Sequence, residues 1–178
     1  TKYAASRSIP SIPSTLPIFE VLPDGSSRRL GSLTAVMPAG FAVQWQPGLN
    51  SVPETELIAD LPYFLDDMRP SGFLGRLVPQ RYPELGLPDD ISLWSSDTCL
   101  RYLSQQGWNL SGSFVVGDDA FQRYLQHVAA PADRVEESNR ITEYPDLATH
   151  LLRLGPAGSS AAGEQPKFLA TRFPDNVP

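Results

Sequence analysis

Cysteine is nearly absent from this chain: Cys99 is the single one among 178 residues. An intrachain disulfide is therefore excluded, and the usage fits a reducing compartment. A small buried apolar role suits Cys99 better than reactivity. Histidine is almost as scarce, and neither His127 nor His150 has acidic or cysteine neighbours at metal-ligand spacing, which argues against a metal site. No apolar run approaches the roughly 20 residues a membrane span requires. No signal-peptide pattern stands at the start, so a cytoplasmic protein without membrane contact is expected. Basic residues are also few, 14 against 20 acidic ones for a net charge of −6. Their scatter speaks against direct nucleic-acid binding by this segment. What the chain does have is 18 prolines and 13 glycines, with 41% hydrophobic residues. That composition predicts short elements, frequent loops, and material for one modest domain or two small subdomains.

Read along its length, the chain is expected to be α+β, a small antiparallel β subdomain followed by helices. Residues 1–17, with Ile9-Pro-Ser-Ile-Pro-Ser-Thr-Leu-Pro17, read as a linker. Residues 18–53 read as the β subdomain: Ile18–Leu22 and Leu30–Val36 flank the turn signal Pro23-Asp-Gly-Ser-Ser27, and Phe41–Trp45 alternates as a third strand. Trp45 is expected in its core. Residues 54–140 read as mainly helical with a short strand over Leu110–Val116. Its helices are expected near Asp60–Met68, Phe73–Tyr82, Thr98–Gln105 (capped by Ser96-Asp97 and stopped by a left-handed Gly107) and Ala120–Val128, with a loop over 130–140. Residues 141–178 form the last segment, with a helix over Asp146–Leu154 started by Pro145 and ended by Gly155.

That last segment carries the chemically suggestive motif, Gly158-Ser-Ser-Ala-Ala-Gly-Glu-Gln-Pro-Lys167, running into the strand-like Phe168–Phe173. Gly158 and Gly163 bracket Ser159, Ser160, Ala161 and Ala162, so the backbone can bend tightly and aim its N–H groups at an anion. Lys167 adds a cation nearby. The competing reading is a flexible Gly/Ser/Ala linker. A Walker A loop is excluded because Glu164 occupies the lysine position, and no Gly-x-Gly-x-x-Gly is present. A glycine-rich loop of the type that covers ATP phosphates in kinases remains. Asp66-Asp67 and Asp89-Asp90 are adjacent pairs and do not face one another on a helix, so they read as caps or solvated faces. Arg69, Arg76 and Arg81 read as scattered surface charge rather than a cationic stripe.

The segment Gly158–Phe168 resembles the loop of the HipA-type toxin serine/threonine kinases of bacterial toxin–antitoxin systems, in the branch with an upstream winged-helix segment. Leu61–Arg76 and Trp108–Gly117 are similar to elements that family places before the loop, and the resemblance runs from about Ile18 to Phe173. It implies that residues 141–178 begin the N-lobe of a protein-kinase-like fold, with ATP and Mg²⁺ bound in the intact protein. It also implies an antitoxin partner and a protein target such as an aminoacyl-tRNA synthetase. Ser160 falls on the family's autophosphorylated serine, and Ser159 departs from the motif and competes for that role. Catalysis in such a fold needs two aspartates and a strand lysine beyond the loop. After Lys167 this chain has only Asp175, so it is expected to be the N-terminal piece of a longer kinase and inert alone. A different class stays open beside this one, a non-catalytic interaction module that docks an antitoxin or target.

Overall fold

The computed structural model describes residues 4–48, 53–110, 112–129, 134–153 and 171–173. In chain order these hold β1 (Thr15–Val21), β2 (Ser27–Ala35), β3 (Phe41–Trp45), β4 (Thr55–Ile58), and the short helices α1 (Tyr63–Asp66), α2 (Gly72–Arg76) and α3 (Val78–Arg81). Then follow α4 (Ser96–Gln106), β5 (Phe114–Val116), α5 (Asp118–Ala129), β6 (Arg134–Glu136), α6 (Arg140–Arg153) and β7 (Thr171–Phe173). The chain divides into two units, residues 1–69 with 94–129 and residues 70–93 with 130–178.

The first unit is built on a five-stranded sheet of order β4-β3-β2-β1-β5 with antiparallel neighbours throughout. Its first hairpin follows from turn chemistry. The Asp24 carboxylate accepts from the Ser26 N–H at 2.9 Å and its hydroxyl at 2.6 Å, and Gly25 takes φ +80°, a left-handed conformation open to glycine. Alternation then sorts the two faces. Leu16, Ile18, Leu33, Ala35, Phe41, Val43 and Val116 are buried. Thr34, Gln44 and Leu57 alternate to the opposite face, where Gln44 and Leu57 are exposed and Thr34 is half-buried. Trp45 is buried as expected, and the α1 ring Phe64 sits 5.3 Å from both Trp45 and Phe114. Helix α4 presents Cys99, Leu100, Leu103 and Gln106 at helical spacing, all buried. Helix α5 reaches the other face of β1, where Phe121 stacks on Phe19 at 3.8 Å.

Three expectations about this unit are corrected. The pattern does not turn helical at Glu54: Thr55–Ile58 is a fourth strand, with Phe41 opposite Ile58 and Val43 opposite Glu56. A non-local partner overrides the weak helical preference of Glu and Leu there. The β subdomain is not closed at residue 53, because β4 and β5 both complete its sheet. Nor is residues 4–17 a linker. Ser6 bridges Val36, Ile9 is only 4% exposed, and β1 already begins at Thr15. This segment is a strap fastened at the end of β2 rather than a free tether.

Helix α4 is capped by Ser95, whose hydroxyl accepts from the Thr98 N–H at 3.2 Å, not by Ser96-Asp97. Gly107 ends it without a left-handed turn, at φ −78°. Glycine is needed there because a Cβ would lie 2.5 Å from the Leu103 carbonyl oxygen.

In the second unit, the expected helix over 73–82 is two short pieces, α2 and α3. Pro79 has no N–H for the Gly75 carbonyl and its ring crowds it, so the helix cannot run through. Gly75 is buried, and a Cβ there would meet the Pro70 carbonyl carbon at 2.7 Å. The stretch read as a loop over 130–140 contains β6 and a 3₁₀ turn, Glu137–Asn139. Helix α6 begins at Arg140, so Pro145 is inside it rather than at its start. One hydrogen bond is lost at Pro145, and the Thr149 hydroxyl donates to its carbonyl at 2.7 Å.

Candidate functional site

Gly158, Ser159, Ser160, Ala161, Ala162, Gly163 and Lys167 lie outside the described residues, as do Gly155 and Asp175. Their described neighbours are α6 before them and β7 after them. β7 pairs in parallel with β6, Arg134 opposite Thr171 and Glu136 opposite Phe173. Parallel strands need a crossover connection, and α6 supplies one. The Gly/Ser-rich segment thus belongs to the connection from a helix to a strand. The strand expected over Phe168–Phe173 is present at Thr171–Phe173.

One polar cluster in the first unit joins Asp60, Asp66, Arg69, Ser96 and Cys99. The Asp60 carboxylate accepts from the Leu61 N–H at 2.7 Å, from the Ser96 hydroxyl, and from the Arg69 guanidinium at 3.2 Å. Arg69 also donates to Asp66 at 2.6 Å and points at the Cys99 sulfur at 3.5 Å. The cluster ties the β4–α1 connection to the first turn of α4. Donation by the Ser96 hydroxyl, then by the Leu61 N–H, with further help from Arg69, holds the Asp60 carboxyl below its ordinary value. Burial pushes the Cys99 thiol up, and Arg69 only partly opposes it. A buried thiol of raised pKa is a poor nucleophile, so Cys99 is a packing residue as the sequence suggested.

This geometry predicts an acid-labile joint. A carboxylate whose folded pKa is depressed contributes stability above its unfolded value of 3.8. That contribution is lost as pH falls through the lower folded value. The thermal midpoint of the chain should fall in that acid range, and Asp60→Asn should flatten part of the drop. An acid limb identical in wild type and Asp60→Asn would show that the cluster adds nothing.

Several of the remaining candidates have a local, structural partner. Asp90 caps Ser92, accepting from its N–H at 2.9 Å and its hydroxyl at 2.6 Å. The His127 ring sits 4.9 Å from Trp108, and His150 is exposed on α6. The Arg81 guanidinium lies 5.7 Å from the ring centre of Tyr82, and Arg69 is committed to the Asp60 cluster. Asp66 takes Arg69, and Asp67 and Asp89 are exposed. Among the described residues no group of three or more His, Cys, Asp and Glu is placed to hold a metal ion. No helix among them is long and apolar enough to cross a membrane. Sequence reasoning missed Asp60 with Ser96 and Arg7 with Asp97. These pairs are 36 and 90 positions apart, so no local signal announces them.

Comparison with known proteins adds a family. Residues 12–125 match the model described as YjjJ-like toxin, middle domain. The chain is 32% identical over 180 residues to Toxin YjjJ of Escherichia coli (strain K12), an alignment that takes in 94% of this chain and 37% of that relative. The chain therefore spans well under half of that relative's length. No solved structure matches it.

Proposed function

The chain belongs to the YjjJ-like toxin family, and we propose that it is part of a HipA-like serine/threonine protein kinase toxin of a toxin–antitoxin system. The observation that carries this reading is the run Gly158–Lys167, in a toxin-family chain, between a helix and a strand. Its donor set suits a phosphate anion: backbone amides between two glycines, two serine hydroxyls and one lysine. In this reading Gly158 to Gly163 hold the phosphates of Mg-ATP, Lys167 supplies positive charge, and bound ATP supplies the phosphoryl group. Ser160 is the regulatory acceptor, with Ser159 as its competitor. A phosphoserine adds about −1.5 to −2 charges beside that site and disfavours nucleotide there. An antitoxin is the regulatory partner, an aminoacyl-tRNA synthetase is a candidate target, and the setting is the cytoplasm.

The family match stops at residue 125, well ahead of the loop. The alternative reading is a non-catalytic interaction role for the sheet unit, docking an antitoxin or target.

Labelled ATP with Mg²⁺ tests the kinase reading on two samples, the 178-residue chain and a protein extended to the relative's length. The chain alone should transfer nothing, since only Asp175 follows Lys167. The longer protein should label itself. Transfer by the short chain, or none by a folded longer protein, would remove the proposal.

A further inference from the structure

The strap formed by residues 4–14 is held to the first unit by few groups. Two backbone bonds stitch it to the end of β2: the Arg7 N–H donates to the Ala35 carbonyl at 2.9 Å, and the Met37 N–H donates to the Ala5 carbonyl at 2.7 Å. Most of its side chains are exposed, and Ile9 alone among them is buried. Ile9 and Ile12 share one crease with Leu16, Leu33 and Leu100. The other fastening is the Arg7 side chain. Its guanidinium forks onto both Asp97 oxygens, at 2.5 and 2.8 Å, donates to the Val36 carbonyl at 3.0 Å and the Gly40 carbonyl at 3.4 Å, and lies 5.7 Å from the Phe41 ring centre. One side chain thus joins the strap, the β2–β3 turn and the first turn of α4.

We propose that Arg7 and Asp97 form a latch that lets the strap open locally while the sheet beneath stays folded. Three features point to it. The fork is bidentate and charge-assisted, so it is the strongest polar contact the strap makes. The Asp97 side chain is 36% exposed, so water can receive it when the fork breaks. Opening uncovers one buried apolar side chain, far less than unfolding the sheet. The strap leads directly into residues 12–125, which match a middle domain. A segment joined ahead of residue 4 is thereby held beside the end of β2 when the latch is closed. When it is open, the same segment rides on a tether of about 35 Å, from roughly 3.3 Å per extended residue. This inference does not depend on the kinase reading.

Native-state amide exchange of the chain, followed residue by residue, tests it. The reporters are the amides of residue 7 and Met37, which donate across the seam. In Arg7→Ala both should exchange roughly tenfold faster or more, the effect of losing a charge-assisted fork. Amides within the β2–β3 ladder should keep their protection to within about twofold. Asp97→Asn should act in the same direction. If either variant fails to fold, raising salt on the wild type gives the same readout, because a partly exposed ion pair is screened. Unchanged protection at Met37 would overturn the latch. So would equal acceleration of every sheet amide, which would make the strap an inseparable part of the core.

Discussion

In the intact toxin, Ser160→Ala should remove most of the phosphate the protein places on itself, by tenfold or more in incorporated label (one decade corresponds to ~1.4 kcal/mol of barrier). The proposed site explains why so small a change acts so strongly. Ser160 stands among residues with little or no side chain, Ser159, Ala161 and Ala162, between two glycines. The backbone there has the freedom to carry the hydroxyl toward a transferred group. Removing that hydroxyl leaves every backbone N–H of the run in place. Nucleotide affinity should therefore survive while self-labelling is lost, a separation that damage to the fold would not produce. Ser160→Asp should imitate the modified state only in part, since a carboxylate carries one charge and fewer acceptor oxygens than a phosphate. Phosphopeptide mapping decides between the serines. Label found on Ser159, or elsewhere and undiminished by Ser160→Ala, would show that the acceptor has been placed on the wrong residue.

Local chemistry made some of this molecule readable. The β1–β2 hairpin was legible because Asp24-Gly25-Ser26 is turn chemistry set between alternating runs. β3 was legible because Phe41, Val43 and Trp45 alternate with smaller or polar residues, and α4 because its apolar residues recur at helical spacing. What escaped was set by distant partners. Thr55–Ile58 has no strong strand signal of its own and becomes a strand by pairing with β3. The proline-rich segment before Thr15 has linker composition, and what fastens it, the backbone bonds to the end of β2, Arg7 reaching Asp97 and Ile9 reaching the crease, involves distant partners. Pro145 marked the wrong boundary because the helix starts at Arg140 and runs through the proline with one donor missing. The run Gly158–Lys167 stands out in the sequence by residue type alone, as glycines, serines and a lysine, and it lies outside the described residues. The Asp60–Ser96 joint has no such signature, since its partners meet only after β4, α1 and α4 are in place.

The largest stability effect is expected at Phe41. Its side chain is fully buried, its strand neighbours are Ala35 and Ile58, and the Arg7 guanidinium stands 5.7 Å from its ring centre. Phe41→Ala should cost about 3–5 kcal/mol, the transfer energy of the ring plus the cavity it leaves. Against a typical total of about 5–15 kcal/mol, that brings the first unit close to unfolding at moderate temperature. Leu57 is the control, an apolar side chain on the opposite face of the same sheet and 44% exposed. Leu57→Ala should change stability by about 0.5 kcal/mol or less. Phe41→Leu, which keeps most of the volume, should fall between them. Tryptophan fluorescence in a urea titration reads this cleanly, because Trp45, Trp94 and Trp108 all belong to the first unit. The midpoint should drop for Phe41→Ala with little change in slope, since the surface exposed on unfolding is nearly the same. Comparable losses at Phe41 and Leu57 would mean that the two faces of the sheet have been assigned incorrectly. The order of strands β4-β3-β2 rests on the same register, and it would then have to be redrawn.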